Sequence, residues 1–238
     1  MFTTPASAPT PGPAPRWPSA LRRRADAASL VGMFAALILS SLTDPLGAKH
    51  DNAADLRTAA GHLGALRASS LLELLAAMFA IGAVAAFLGV VRQRGAALAN
   101  AGAVIGIPGC AGMVLIGAHG LFLDALVSSH TSNGLQILAQ LNTAAGPVQI
   151  LFFAMPVAVV LLVAAAVRAG IAPMTAFVLA VVFFVVDSIP GLPGGEFVAL
   201  AIGLITFGWI AGRIVRLTEP ATATHPASEF SSVAERTP

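Results

Sequence analysis

The chain has 238 residues, of which 57% are hydrophobic and only 10% are charged, and its formal net charge is +2. A soluble globular domain carries about 25% charged residues, so this composition excludes an ordinary soluble enzyme, a disordered protein and a nucleic-acid-binding protein. A mean hydropathy of +0.85, together with long apolar runs, predicts an integral membrane protein.

Polar segments enclose the apolar part of the chain. Residues 1–24 are rich in Pro and Ala and end in three arginines, and residues 217–238 are polar. Neither segment has enough apolar side chains to form a core, so both are predicted to be disordered. The first apolar run, 27–42, lacks a small-residue cleavage site and is predicted to be an uncleaved first span. The transmembrane domain is therefore predicted over residues 25–216.

Six apolar runs predict an all-α polytopic bundle, because about 20 helical residues cross a hydrocarbon core of about 30 Å. The predicted spans are 27–42, 70–91, 96–119 with an apolar extension to 127, 146–167, 173–186 and 197–214. Between the first two, residues 53–66 predict a short amphipathic helix on the membrane surface. Residues 128–143 predict a polar loop, and Pro108 predicts a kink in the third span.

The basic residues divide unequally between the two sides of this six-span arrangement. Lys49, Arg57 and Arg67 fall on one side. The other side has Arg16, Arg22, Arg23, Arg24, Arg92, Arg94, Arg168, Arg213, Arg216 and Arg236. The positive-inside rule then predicts that both termini are cytoplasmic. Abundant Ala, Gly, Pro and Arg fits a GC-rich bacterial genome, so the predicted location is the bacterial inner membrane.

Five ionisable residues near the spans all fall at the outer ends and are the candidate catalytic residues: Glu73, His119, Asp124, Asp187 and Glu196. Carboxylates and imidazoles can act as a general acid and base. They can also bind a divalent ion, and His119, Asp124 and Asp187 are the candidate metal ligands. No pair has the spacing of a zinc-binding HExxH motif.

Each of these residues also has a structural interpretation. Ser70-x-x-Glu73 fits a capping box at a helix start. Glu196 fits the positive end of a helix dipole. Asp124 and Asp187 lie near predicted helix C-termini, where the dipole disfavours an anion, so solvation at the interface is their structural explanation. The same explanation applies to His119.

The middle of the predicted bilayer contains no Asp, Glu, Lys, Arg or His, which argues against a proton pump or voltage sensor. The chain lacks a nucleotide-binding lysine motif, a hydrolase nucleophile elbow and a buried histidine pair for haem. No cofactor is therefore predicted. Two pairs of small residues, Gly102-x-x-x-Gly106 and Gly208-x-x-x-Gly212, predict close helix contacts, more within the chain than between copies in a homo-oligomer.

Two segments resemble a family of small bacterial membrane proteins of unknown function. In the first, an arginine and small residues precede Glu73 and a long apolar run that ends at Arg92. The second contains Gly146-Pro147, the turn Arg168-Ala-Gly-Ile-Ala-Pro and a helix that closes with Asp187-Ser188. The chain departs from the family in its lack of tyrosine and its high alanine content. The resemblance implies a six-helix membrane fold and assigns no catalytic residue.

Three functions fit these observations. The first is a non-enzymatic accessory protein of the plasma membrane that binds a protein partner, since the chain lacks catalytic motifs. The second is an enzyme that acts on a lipid or isoprenoid at the outer leaflet, with the five outer residues as its site. The third is a small-solute permease in which the Pro108 kink acts as a gate. The sequence leaves these alternatives open.

Overall fold

The computed structural model describes residues 19–46, 52–92, 94–129, 132–189, 192 and 194–216. These residues form the helices α1 Ser19–Thr43, α2 Asn52–Gly61, α3 Leu63–Val90, α4 Ala96–Ser128, α5 Gly134–Phe152, α6 Ala154–Arg168, α7 Met174–Asp187 and α8 Gly195–Arg216. Residues 1–18 and 217–238 of the predicted disordered tails lie outside the described residues, as do Arg16, Lys49 and Arg236, whereas residues 19–24, which were also predicted to be disordered, are helical and belong to α1.

Six of the helices form a closed ring. Along the ring, α1 packs on α3, α3 on α4, α4 on α6, α6 on α7, α7 on α8, and α8 returns to α1. By length and apolar composition, α1, α3, α4 and α8 are each able to cross a membrane, while α6 and α7 are shorter apolar helices. The prediction of an all-α bundle that contains helices long and apolar enough to span a membrane is confirmed.

Aromatic side chains fill the interior of the ring. Phe34 of α1 lies with its ring centroid 5.7 Å from that of Phe183 on α7 and 4.9 Å from that of Phe207 on α8. Phe87 of α3 packs edge-on against Phe207 at 5.8 Å. Since α3 and α8 are not neighbours in the ring, this last contact crosses its interior. All four rings are buried.

Glycines on α4 allow close packing on both sides of that helix. A Cβ on Gly102 would lie 2.9 Å from the side chain of Leu162, and one on Gly109 would lie 2.9 Å from the backbone of Met155. Both contacts bring α4 against α6, and a Cβ on Gly106 would lie 3.2 Å from the side chain of Val84 on α3. The first glycine pair predicted from the sequence is therefore a contact within the chain. A Cβ on Gly208 or on Gly212 would have no other atom within 4 Å. The second glycine pair therefore makes no such contact in the described chain.

The prediction of a loop over 128–143 is wrong, and the predicted span over 146–167 is divided between the last part of α5 and α6. Helix α5 begins at Gly134, and the helical path breaks at Phe153 before α6 begins. Pro156 explains the break, because it has no N–H to donate to the carbonyl of Phe152 and its ring clashes with that carbonyl.

The segment between the first two spans also differs from the prediction. The short helix α2 ends at Gly61, so residues 63–66 belong to α3 and not to a surface helix over 53–66. Helix α3 begins seven residues before the predicted span at Ser70. Polar residues lower the hydropathy of this segment but do not interrupt its helical hydrogen bonding, which explains the error.

A second, smaller core lies at one end of the ring. Its buried members come from four helices and are Ala59, Leu66, Leu123, Leu126 and Leu138. We call the part of the chain around this core the cap: α2, the first two turns of α3, the last three turns of α4, and α5. The side-chain amide of Asn142 on α5 donates to Oδ1 of Asn52 on α2 at 2.6 Å, which ties the two cap helices together.

Candidate functional site

Two consecutive serines near the end of α1 bind carboxylates from two neighbouring helices. The Ser40 hydroxyl lies 3.2 Å from the carbonyl oxygen of Ser69 and 3.4 Å from Oε1 of Glu73, both on α3. The Ser41 hydroxyl donates to Oε1 of Glu196 on α8. Because Ser40 and Ser41 point to different neighbours in the ring, this one turn of α1 joins α3 to α8.

Three of the five predicted site residues, Glu73, Asp187 and Glu196, lie near one another at this end of the ring. Glu196 lies close enough to Glu73 and to Asp187 for their negative charges to repel each other, and Asp44 lies equally within reach of the charge on Glu73. We call Asp44, Glu73, Asp187 and Glu196 the carboxylate group. Asp44 was not predicted as a site residue, although its position directly after the first apolar run placed it at the same level as the others.

The structural interpretation of Glu73 as part of a capping box is wrong. Ser70 and Glu73 lie inside α3, and the Ser70 hydroxyl donates to the carbonyl of Leu66 at 2.8 Å. The helix begins at Leu63, after His62, whose side chain makes no capping hydrogen bond. Glu196 does lie in the first turn of α8, where the helix dipole favours an anion.

Asp124 lies in the cap, away from the carboxylate group, and pairs with Arg67. The Arg67 Nε and Nη2 atoms both donate to Oδ2 of Asp124, at 3.2 and 2.8 Å. Asp124 lies four residues before the end of α4, close to the predicted helix C-terminus, but it is buried and not solvated. Arg67 lies about 9 Å along α3 from Glu73, at a rise of roughly 1.5 Å per residue, which separates the two sites.

The predicted metal ligands do not form one group. No cluster of three or more His, Cys, Asp or Glu side chains arranged to hold a metal ion is present in the described part of the chain. His119 and Asp124 lie on the same helix, about 140° apart around its axis. Asp187 lies at the end of α7 beside Glu196.

A shallow groove runs along the exposed face of α5 in the cap. It has a volume of about 420 Å³ and is lined by Gln136, Ala139, Gln140 and Thr143. The polar side chains are four and three positions apart, so they share one face of the helix. This uncharged face was hidden in the sequence because the same residues were interpreted as a loop.

The chain was compared with models of known protein families, with curated proteins and with solved structures, and none of them matches it. The family resemblance stays a prediction that rests on the quoted motifs.

Proposed function

We propose that the chain crosses the bacterial plasma membrane six times, with both termini in the cytoplasm. Lengths along the ring helices support this placement. Glu73 and Arg92 are about 19 residues apart and Glu196 and Arg213 about 17, which correspond to about 28 and 26 Å at 1.5 Å per residue. Both lengths are close to the hydrocarbon thickness of about 30 Å, so carboxylates and arginines would occupy opposite interfaces.

The shorter helices can be accommodated in this arrangement. Helix α6 has 15 residues, and the last residues of α5, which precede it directly in the chain, can supply the missing length. Helix α7 has 14 residues, about 21 Å. Local thinning of the bilayer or interfacial flanking residues can compensate for such a mismatch at modest cost.

Single-cysteine labelling tests the topology. Cys110 is buried and is the only cysteine, so Cys110→Ala provides the background. In intact cells, a membrane-impermeant maleimide is expected to label Ser132→Cys, which lies between α4 and α5. It is expected to label Thr175→Cys at the start of α7 only after permeabilisation. Both positions are exposed. Labelling of Thr175→Cys from outside would contradict the six-span topology.

Within this topology, we propose that the protein acts without catalysis and binds a protein partner through the cap. The observation that supports this function is the groove on α5, because it presents an uncharged and mainly apolar surface with a few polar groups beyond the carboxylate group. Gln136, Gln140 and Thr143 offer hydrogen-bond donors and acceptors that a partner segment could use. The carboxylates give less support to catalysis, since Glu73, Glu196 and Asp124 each have a hydrogen-bonding partner within the chain.

Site-specific photocrosslinking tests partner binding. A photoreactive residue at Gln140 is expected to give one discrete protein adduct in cells, and the same residue at Ile205, an exposed position on α8 outside the cap, is expected to give none. Gln136→Arg should remove the adduct at position 140, because a bulky charge in the groove disturbs its surface. Equal adducts at both positions, or none at Gln140, would contradict the proposal.

The carboxylate group supports a second candidate, an enzyme that acts on a lipid or isoprenoid at the outer leaflet. Glu73 and Asp44 lie close enough for their charges to interact, so one could serve as a general acid and the other as a general base towards the same substrate. The discriminating variants are Glu73→Gln and Asp44→Asn. If the protein is a partner-binding protein, both variants keep the Gln140 adduct and the cellular lipid profile. The aromatic interior of the ring gives no support to a permease.

A further inference from the structure

The end of the ring opposite the carboxylate group is strongly cationic. Among the described residues, the arginines at this end are Arg22, Arg23, Arg24, Arg92, Arg94, Arg168, Arg213 and Arg216. Asp26, one turn after Arg22, is the only acidic residue of the described chain at this end. Neither Arg22 nor Asp26 forms an ion pair within that part of the chain, so the positive charge there is almost uncompensated.

Two of these arginines, Arg22 and Arg92, meet at one residue, Gly89, near the end of α3. The Nη2 atom of Arg22, from α1, lies 2.9 Å from the point that a Cβ of Gly89 would occupy. The Arg92 Nε donates to the Gly89 carbonyl oxygen at 3.0 Å. With standard backbone dimensions, these two nitrogens are then within about 9 Å of each other. The missing side chain of Gly89 is what allows Arg22 to lie over α3.

We propose that Arg22 and Arg92 bind the phosphate group of an anionic membrane lipid between α1 and α3. Two guanidinium groups in this position repel each other unless an anion lies between them. A phosphate has several acceptor oxygens and forms strong charge-assisted hydrogen bonds with arginine. Each guanidinium is exposed and keeps N–H groups that no described protein atom accepts.

The helix ends are consistent with an anion at this place. The first turn of α1, which contains Arg22, presents the positive end of that helix dipole. The carbonyls at the end of α3 would repel an anion, but Arg92 and the N–H of Val91 already occupy those of Gly89 and Phe87. Basic residues at the cytoplasmic ends of transmembrane helices are a common binding site for anionic headgroups.

The lipid assignment rests on the proposed membrane placement, because that placement puts the two arginines at the level of the headgroups. It does not depend on the direction of insertion or on partner binding. Free inorganic phosphate shares the chemistry of the headgroup, and only a lipid adds acyl chains along the surface of α1 and α3.

Native mass spectrometry of the full chain in detergent tests the proposal. The probes are phosphatidylglycerol, phosphatidylcholine and inorganic phosphate. We expect retention of phosphatidylglycerol over both other probes, and about tenfold weaker retention in Arg22→Gln/Arg92→Gln. The matched control is Arg168→Gln/Arg216→Gln, which removes the same charge from the same end and should change retention less than twofold. Gly89→Leu keeps both charges but displaces Arg22, so it should resemble Arg22→Gln/Arg92→Gln.

Three results would overturn the lipid site. Equal losses in the two double variants would show diffuse attraction to the whole cationic end. Equal retention of inorganic phosphate would remove the role of the lipid, and unchanged retention in Gly89→Leu would remove the role of the Arg22 position. If Arg22→Gln/Arg92→Gln does not fold, retention of phosphatidylglycerol by Gly89→Leu alone tests the lipid site. These measurements use purified protein, whereas cysteine labelling tests the six-span topology in cells. A wrong topology and an absent lipid site can therefore be distinguished.

Discussion

Arg67 donates from Nε and Nη2 to a single oxygen of Asp124, Oδ2, although the two residues are 57 positions apart in the chain. The other carboxylate oxygen, Oδ1, is buried and has no hydrogen-bond partner in the described chain. The exposure of the pair is unequal, since the Arg67 side chain is 60% exposed and that of Asp124 only 11%. The carboxylate therefore depends on the guanidinium more than the guanidinium depends on the carboxylate.

Unequal exposure predicts unequal effects of removing either partner. Arg67→Ala leaves a buried carboxylate without a counter-charge and is expected to lower the free energy of unfolding by about 3 kcal/mol. Asp124→Asn keeps an acceptor of the same size and leaves a hydrated arginine, so it should cost about 1 kcal/mol or less. Unfolding of the purified protein in a titration with sodium dodecyl sulfate measures both.

Arg57→Ala is the control for this pair, because Arg57 is an exposed arginine on α2. A surface arginine of this kind contributes about 0.5 kcal/mol or less. Equal losses from Arg67→Ala and Asp124→Asn would contradict the expected dependence of the carboxylate on the guanidinium.

The pairing of Arg67 with Asp124 could not be predicted from the sequence. Hydropathy placed apolar helices near the observed α1, α3, α4, α7 and α8, since a bilayer demands long apolar runs. It placed both charged residues at the outer side of the membrane but could not pair them. The pair forms because α3 extends beyond its apolar part. Average hydropathy does not reveal that extension, because the added residues include polar ones.

The cap was the part of the fold that was hardest to predict from the sequence. Helix α5 mixes buried Leu138 with exposed Gln136 and Gln140, and its amphipathic pattern looks like a polar loop when only average hydropathy is considered. Of the predicted site residues, Glu73, Asp187 and Glu196 lie near one another. Asp124 pairs instead with Arg67, a partner that hydropathy could not predict.

Glycine contacts predict a contrast between α4 and α8. Gly109→Ala would place a methyl group 2.9 Å from the backbone of Met155, which cannot move as a flexible side chain could, so we expect a loss of about 1–3 kcal/mol. Gly208→Ala and Gly212→Ala meet nothing within 4 Å and should be neutral or stabilising by up to about 1 kcal/mol, because alanine favours a helix. Thermal unfolding in detergent compares the three variants. A destabilising Gly208→Ala or Gly212→Ala would indicate a contact with a second copy.

The aromatic cluster predicts a large effect of truncating Phe34. Helices in a bilayer gain little from the hydrophobic effect when they associate, so the close packing of Phe34 against Phe183 and Phe207 has to supply stability. Phe34→Ala opens a cavity among α1, α7 and α8 and is expected to cost about 3 kcal/mol. Phe197→Ala on α8, where the residue is 42% exposed, should cost less than half as much. Similar losses in the detergent titration would argue against a packed ring interior.

The hydrogen bond between Asn142 and Asn52 predicts a local effect within the cap. Asn142→Leu preserves the approximate volume of the side chain but removes the amide that donates at 2.6 Å, and it leaves Asn52 without that donor. The expected cost is about 1 kcal/mol, confined to the contact between α2 and α5. Hydrogen exchange should therefore accelerate about fivefold in α2 and remain unchanged in α8. Acceleration throughout the chain would mean that α2 and α5 unfold together with the ring, and unchanged exchange in α2 would mean that its apolar contacts through Ala59 suffice to hold it.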